Sequence, residues 1–182
     1  MREHARSRGL TPAALLVTAL GDVLRAGGGG DRFTLVMTVF DRPAEHASVI
    51  GDYTSTLLLD IRPGAVAFAD RAQALQQRLW TDLDHSAGVR GNEVLRELAA
   101  RRGRQVLLPV VFSSGLGSTS ADASELLEGF GRTVHAISQT PHMLLDCQVF
   151  EQYGTLRINW DCVDAPSPPA TSTGSSPPTR TW

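Results

Sequence analysis

The sequence predicts an α/β fold in which helices flank a mixed β-sheet. Segments with strand composition alternate with segments of helical periodicity, a pattern typical of layered α/β domains. Two strand-like segments follow each other closely near the C-terminal end, which predicts an antiparallel hairpin. A chain of 182 residues with 42% apolar side chains is also long enough to bury one core.

The first half begins with a predicted helix and continues with two predicted strands. Thr11 suits a helix N-cap and Pro12 the first helical position, while the glycines at 27–30 suit the end. Residues 33–40 are nearly all apolar or Thr, which predicts a strand buried on both faces. A second strand is predicted at 54–61. The apolar face of the helix is predicted to comprise Leu15, Leu16, Ala19, Leu20, Val23 and Leu24.

The second half is predicted to add two helices and the remaining strands. Phe68, Ala72, Leu75 and Leu79 recur at helical spacing, and Gly103 is a helix stop signal. The predicted elements are helices at 65–83 and 92–102, strands at 106–112 and 134–137, a Gly- and Ser-rich loop at 115–131 with one helical turn near Leu126, and a hairpin of 143–150 and 155–160 that turns near Tyr153 and Gly154.

Composition predicts one domain, residues 1–164, and a different tail. From Ala165 onward the chain consists largely of Pro, Ser and Thr. Such a segment cannot bury enough apolar surface to offset the entropy of ordering it, so residues 165–182 are predicted to be disordered.

Charge and cysteine content exclude several classes of function. The net charge is −2 and the 17 basic residues, all Arg, are scattered, which argues against nucleic-acid binding. No apolar run approaches the roughly 20 residues of a membrane helix, and the charged N-terminus does not resemble a signal peptide. Cys147 and Cys162 show no metal-binding spacing, so two buried free thiols in a cytoplasmic protein are predicted.

Two polar side chains in apolar surroundings are the main candidates for catalysis. Asp146 follows Met143-Leu144-Leu145, and burial of a carboxylate favours its protonated form, which suits a general acid or base. The alternative is an Asp that holds a backbone amide or an Arg at a strand edge. Ser113 follows an apolar strand, where its hydroxyl can bond a substrate carbonyl; the alternative is a Ser that caps a turn.

Further candidates for substrate binding come from the same two segments. Gln139 and Thr140 precede Pro141, which favours extended geometry, so their side chains can line a tunnel. The alternative is an ordinary polar strand end. Ser114 and His142, next to these residues, complete the set of predicted substrate-binding residues.

Other kinds of site have weaker support. A hydrolase triad of Ser113, His135 or His142, and Asp146 lacks the GxSxG turn that leads into a helix. The glycines at 27–30 end a helix and are not followed by Lys and Ser or Thr, so they form no phosphate loop. Asp82, Asp84 and His85 resemble a metal cluster only loosely and favour a solvated helix end.

An ordered series of motifs carries a family resemblance. LTPAALL at 10–16 is similar to a helix that the family places after its midpoint, and FTLVMTVFDRP at 33–43 is similar to its FTLNLTLFxR strand. GDYTS at 51–55 matches GDFTS, PVVFSS at 109–114 matches PVVFTS, SQTPHMLLD at 138–146 matches SQTPQVWLD, and Trp160-Asp161 closes the series. In this order, the motifs resemble the second half of a heterocyclization domain of nonribosomal peptide synthetases. The resemblance implies the C-terminal lobe of a chloramphenicol acetyltransferase-like pair of lobes.

The resemblance also implies a chemistry. Family members join an acyl group on one carrier protein to Cys, Ser or Thr on the next, and loss of water then closes a thiazoline or oxazoline ring. The substrates are held on phosphopantetheine of peptidyl or aryl carrier domains, with no cofactor bound by the domain itself. By position, Asp146 would shuttle protons, and Ser113 would orient Asp146 or the departing oxygen.

The chain also departs from the family pattern. Ser113 replaces Thr, Val36 replaces Asn, and residues 142–144 read His-Met-Leu in place of Gln-Val-Trp. Nothing matches the Asp-x4-Asp motif of the family's first half, and the reaction tunnel of this fold runs between two lobes. The chain alone is therefore expected to be inactive without an N-terminal lobe. A non-catalytic module that binds carrier or synthetase domains is the alternative.

Overall fold

The computed structural model describes residues 1–40, 42–64, 67–85, 91–116, 134, 143–152 and 154–163. Helices and strands alternate through these residues. The helices are α1 (Arg2–Arg6), α2 (Pro12–Ala26), α3 (Phe68–His85) and α4 (Gly91–Arg102), the strands are β1 (Phe33–Phe40), β2 (Thr54–Ile61), β3 (Val110–Ser114), β4 (Leu145–Gln152) and β5 (Thr155–Cys162), and a short 3₁₀ turn spans Ala44–His46.

The five strands form one mixed sheet in the order β2-β1-β3-β4-β5. The central strands β1, β3 and β4 are parallel to one another, whereas β2 and β5 pair antiparallel at the two edges. The segment between β2 and β3 contains α3 and α4 and carries the chain past β1, which lies between these two strands in the sheet. The predicted fold class, a mixed sheet flanked by helices, is confirmed.

Most predicted elements agree with the structure. The bounds of β1 and β2 are those predicted, and α4 begins one residue before the predicted start. The Thr11 hydroxyl accepts a hydrogen bond from the Ala14 amide at 3.2 Å, so the predicted N-cap of α2 is confirmed. Helix α3 begins at Phe68, later than predicted, and the hairpin strands each end two residues later than predicted.

The strand predicted at 106–112 is wrong in its bounds, because β3 covers Val110–Ser114. Pro109 has no amide hydrogen to donate to a strand ladder. Its carbonyl accepts hydrogen bonds from the amides of Leu144 and Leu145 at 2.8 and 3.0 Å, and regular pairing with β4 begins at the next residue. The shift places Ser113 within the strand, whereas the sequence pattern placed it at a strand end.

Some features differ from the predictions or cannot be compared with them. Helix α1 was not predicted, and Ala5 on it is fully buried against Leu10 and Ala72. Cys147 is buried as expected, but Cys162 is exposed because it ends an edge strand. The predicted loop turn near Leu126, the predicted strand after Val134 and the predicted disordered tail lie outside the described residues.

The core lies between one face of the sheet and the pair of helices α2 and α3. Phe112, Leu35 and Leu59 are at most 1% exposed and are the largest side chains there. None of the helices in the described ranges is long and apolar enough to span a lipid bilayer. The remaining buried members of this core are Ala14, Val17, Leu20, Met37, Leu57, Ile61, Leu75, Leu79, Cys147 and Val149.

Candidate functional site

The two faces of the sheet differ in chemistry. Side chains alternate between faces along a strand, and residues paired across strands share a face. The core face packs on α2 and α3. The opposite face, called the polar face below, receives polar side chains from every strand. These include Thr34, Thr38, Thr56, Ser113, Asp146, Gln148, Asn159 and Asp161.

Asp146 is a buried carboxylate near the start of β4. Only 6% of the residue is exposed, which agrees with the burial predicted from its apolar neighbours. Its Oδ2 accepts a hydrogen bond from Nε2 of Gln148 at 3.1 Å. Its Oδ1 is buried and has no hydrogen-bond partner among the described residues. One oxygen is therefore held in place by Gln148, while the other is a buried acceptor without a partner among the described residues.

Ser113 lies on the same face as Asp146, on the adjacent strand. In the parallel register of β3 and β4, Val111 is opposite Asp146 and Ser113 is opposite Gln148. Ser113 is thus a diagonal neighbour of Asp146, and it is half-buried. The sheet therefore brings together the two residues predicted to be catalytic.

Ser114, predicted to bind substrate, alternates to the other face. Its hydroxyl accepts a hydrogen bond from the Leu116 amide at 3.3 Å, a local contact typical of a strand that enters a turn. The remaining predicted substrate-binding residues, Gln139, Thr140 and His142, lie outside the described residues, as does His135 of the alternative hydrolase triad.

The pattern of the sequence did not identify three further residues of this face. Gln148 donates a hydrogen bond to Asp146 from two residues away in the same strand. Alternation along a strand predicts that these two residues share a face, so this signal was present in the sequence. Thr38 continues the β1–β3 register to the position beside Ser113, and its buried hydroxyl has no partner among the described residues. Asp161 is paired directly with Asp146 across β4 and β5, which places two carboxylates side by side.

Cys147 is adjacent to Asp146 in the chain but lies on the core face. Burial, together with the nearby charge of Asp146, raises the pKa of its thiol to about 11. Because the thiolate is the nucleophilic form, this cysteine stays inert near neutral pH. It therefore contributes packing to the core.

The residues that the structure describes hold no metal-ligand group. No set of three or more His, Cys, Asp and Glu side chains within those ranges is arranged to bind an ion. His85 belongs to the segment at the end of α3 that resembles a metal cluster in sequence, and its Nδ1 lies 2.6 Å from the carbonyl oxygen of Thr81. The carboxylates, amides and hydroxyls of the polar face can form hydrogen bonds, and its carboxylates can also transfer protons.

Curated relatives of the chain are synthetases that are much longer than it. Phenyloxazoline synthase MbtB of Mycobacterium tuberculosis is 46% identical over 162 residues, which is 87% of this chain and 11% of that protein. Pyochelin synthetase PchF of Pseudomonas aeruginosa is 41% identical over 168 residues, 87% of this chain and 9% of that protein. The chain thus spans about a tenth of the length of these relatives. No family model matches it.

Solved structures agree with this relationship. The nonribosomal peptide synthetase FmoA3 has a TM-score of 0.80 at 45% identity, over 89% of this chain and 18% of that one. The cyclization-docking bidomain of EpoB from Sorangium cellulosum has a TM-score of 0.76 at 37% identity, over 90% of this chain and 34% of that one. The first condensation domain of the CDA synthetase, at 22% identity and a TM-score of 0.64, shares the fold.

Proposed function

The chain is a homologue of nonribosomal peptide synthetase cyclization domains and matches one part of them, and on that premise we propose that it supplies the C-terminal, catalytic half of a heterocyclization site. The proposed reaction joins an acyl group to Cys, Ser or Thr on a carrier domain and then closes a thiazoline or oxazoline ring. The observation that carries the proposal is the polar face, where Asp146 keeps one buried, unpaired carboxylate oxygen beside Ser113.

The proposed ring closure requires several proton transfers at one place. The side-chain thiol or hydroxyl attacks the amide carbon and loses its proton, while the carbonyl oxygen gains one. That oxygen then takes a second proton and leaves as water, and the amide nitrogen gives up its hydrogen as the C=N bond forms. A single carboxyl group that alternately accepts and donates protons satisfies this balance.

We assign the proton transfers to Oδ1 of Asp146. The hydrogen bond from Gln148 occupies Oδ2, so it orients the carboxyl group without blocking the other oxygen. Burial lowers the local dielectric and excludes competing water, which strengthens the interaction with a developing charge. Ser113, two residues along the neighbouring strand from the position opposite Asp146, is proposed to hold the departing oxygen.

The proposed substrates are thioesters on the phosphopantetheine groups of carrier domains, and the proposed partner is an N-terminal lobe. The polar face is half of a site in this proposal, because a sheet face alone cannot enclose a substrate away from water. Activity is accordingly expected only when an N-terminal lobe covers the polar face, whether on the same polypeptide or on another one.

Ser113→Ala tests the proposed role of the hydroxyl. The chain is mixed with the N-terminal half of a homologous cyclization domain and two loaded carrier domains, and the carrier-bound product is measured by intact mass. We expect the rate of ring formation to fall by about 10²-fold, as for the loss of one donor to a developing oxyanion.

Ser114→Ala is the matched control for Ser113→Ala, because Ser114 is the adjacent residue on the other face of β3. We expect it to retain the ring-forming rate of the unmodified chain. Equal losses in the two variants would remove Ser113 from the site and attribute the effect to the strand itself.

A further inference from the structure

A second cluster of unusual side chains lies on the helix side of the sheet. A cavity of about 30 Å³ opens between the second half of α2, the end of β2 and one side of α3. Four arginines line it, together with one aspartate and an apolar floor that includes Ile61 and Leu75. The arginines are Arg25, Arg62, Arg71 and Arg78, and the aspartate is Asp22.

Positive charge exceeds negative charge around this cavity. Asp22 accepts from Arg25 at 3.2 Å and from Arg71 at 2.6 Å, so one carboxylate serves two guanidinium groups. Arg62 pairs with Asp60, which also binds a second arginine outside the cavity. Four arginines thus line the cavity beside one aspartate, and Asp22 and Asp60 each serve two guanidinium groups, so positive charge is in excess among the described residues.

Two arginines of this cluster, Arg78 and Arg25, carry a buried donor without an acceptor among the described residues. Arg78 is half-buried in the cavity wall, and its Nε is buried with no hydrogen-bond partner among the described residues. The Nε of Arg25 is likewise buried and unpartnered. Burial of a donor without an acceptor costs free energy of folding. Because α2 and α3 each contribute such a donor beside one small cavity, we infer that an acceptor is missing there.

We propose that this cavity binds a phosphate group. Guanidinium forks match phosphate oxygens in paired hydrogen bonds, and here they approach from α2, from α3 and from the end of β2. A tetrahedral oxyanion can meet donors from three directions, whereas a planar carboxylate such as Asp22 meets only those in its plane. The cavity has room for about two water molecules, so it can admit oxygens of the phosphate group while the rest of an ester stays outside.

The site is separate from the polar face, because it lies where α2 and α3 pack on the opposite side of the sheet. Its occupancy can therefore be measured without any peptide-forming assay. A lack of phosphate binding would not affect the proposed ring-forming role of Asp146. A lack of ring formation would likewise not affect the proposed phosphate site.

The test measures Tm of the full chain in inorganic phosphate, acetate and chloride at equal ionic strength. We expect phosphate alone to raise Tm, with the logarithm of its concentration above Kd, by roughly 3–6 °C at about ten times its Kd. Calorimetric titration with phosphate gives the affinity directly. A phosphate effect no larger than that of acetate or chloride would overturn the proposal.

Arg78→Gln is the decisive variant, and Arg104→Gln is its matched control. Arg78 has no ion pair to lose among the described residues, so its replacement should leave the fold intact, and Arg104 is an exposed arginine that does not line the cavity. We expect Arg78→Gln to weaken phosphate binding by about tenfold or more and Arg104→Gln to leave it unchanged. Unaltered binding in Arg78→Gln would overturn the assignment.

A comparison of methyl phosphate with inorganic phosphate identifies the source of the phosphate group. Stronger binding of methyl phosphate would identify an ester as the natural ligand. Stronger binding of inorganic phosphate would instead identify the free ion, and either order supports a phosphate site.

Discussion

Asp146→Asn is expected to stop ring formation while the linear amide still accumulates on the carrier domain. The amide side chain of Asn cannot accept a proton and return it, so the dehydration step loses its acid and base. Loss of such a group typically costs 10²- to 10⁴-fold in rate, and we expect a loss in this range. The intact mass of the carrier-bound product separates the two stages, because the ring is lighter than the amide by one water.

Glu151→Gln is the control for this variant. Glu151 is a carboxylate on the same strand, but it lies on the other face of the sheet, with 41% of its side chain exposed. We expect it to retain ring formation. Ring formation at the normal rate in Asp146→Asn would refute the catalytic role of Asp146, whereas a loss of both amide and ring would indicate a structural role.

Phe112→Ala is expected to lower the free energy of unfolding by about 3–5 kcal/mol. Phe112 is 1% exposed on the central strand β3, so its removal would leave a cavity between the sheet and the two helices that cover it. Since the whole stability of a domain is typically 5–15 kcal/mol, this one change is expected to consume a large share of it. Urea unfolding, followed by circular dichroism, measures the difference.

Phe40→Ala is the matched control for the core substitution. Phe40 ends β1 and is 68% exposed, so its truncation removes little buried surface. The expected change is within about 0.5 kcal/mol. Similar losses for the two phenylalanines would contradict the position assigned to the core.

Strong local signals explain which parts of the fold were predictable. β1 and β2 have the predicted bounds because each is a run rich in Thr and apolar residues between breaking residues. The centre of β1 is buried on both faces, as predicted, since Leu35, Val36 and Met37 are all at most 5% exposed. The start of α2 was equally predictable, since a hydroxyl cap followed by Pro is a local signal.

Long-range contacts explain what the sequence pattern missed. Val23, predicted to face the core, is 58% exposed, while Thr18 is buried. Gly21 allows close packing here, since a Cβ atom on it would lie 3.2 Å from Ile61. Gln76 is buried because its side chain accepts from the Thr11 amide at 2.6 Å and donates to the Gly9 carbonyl at 2.7 Å. No local pattern contains these partners.

The candidate site also combines features that local sequence predicts with features that depend on the folded structure. The burial of Asp146 was predictable from its apolar neighbours in the chain. Its position diagonal to Ser113 depends on the register of two strands that are distant in sequence, whereas its pairing with Asp161 lies within the hairpin of β4 and β5. The role of Gln148 required the folded strand, because only there does its amide reach the carboxylate.

The measurement that tests the central claim most directly is the intact mass of the carrier-bound product in three mixtures. They contain this chain alone, the homologous N-terminal half alone, and both together, each with the same loaded carrier domains. We predict a product that has lost the water of ring closure only when both halves are present. The same product from the N-terminal half alone, or from this chain alone, would contradict the claim that the polar face is the catalytic half of a shared site.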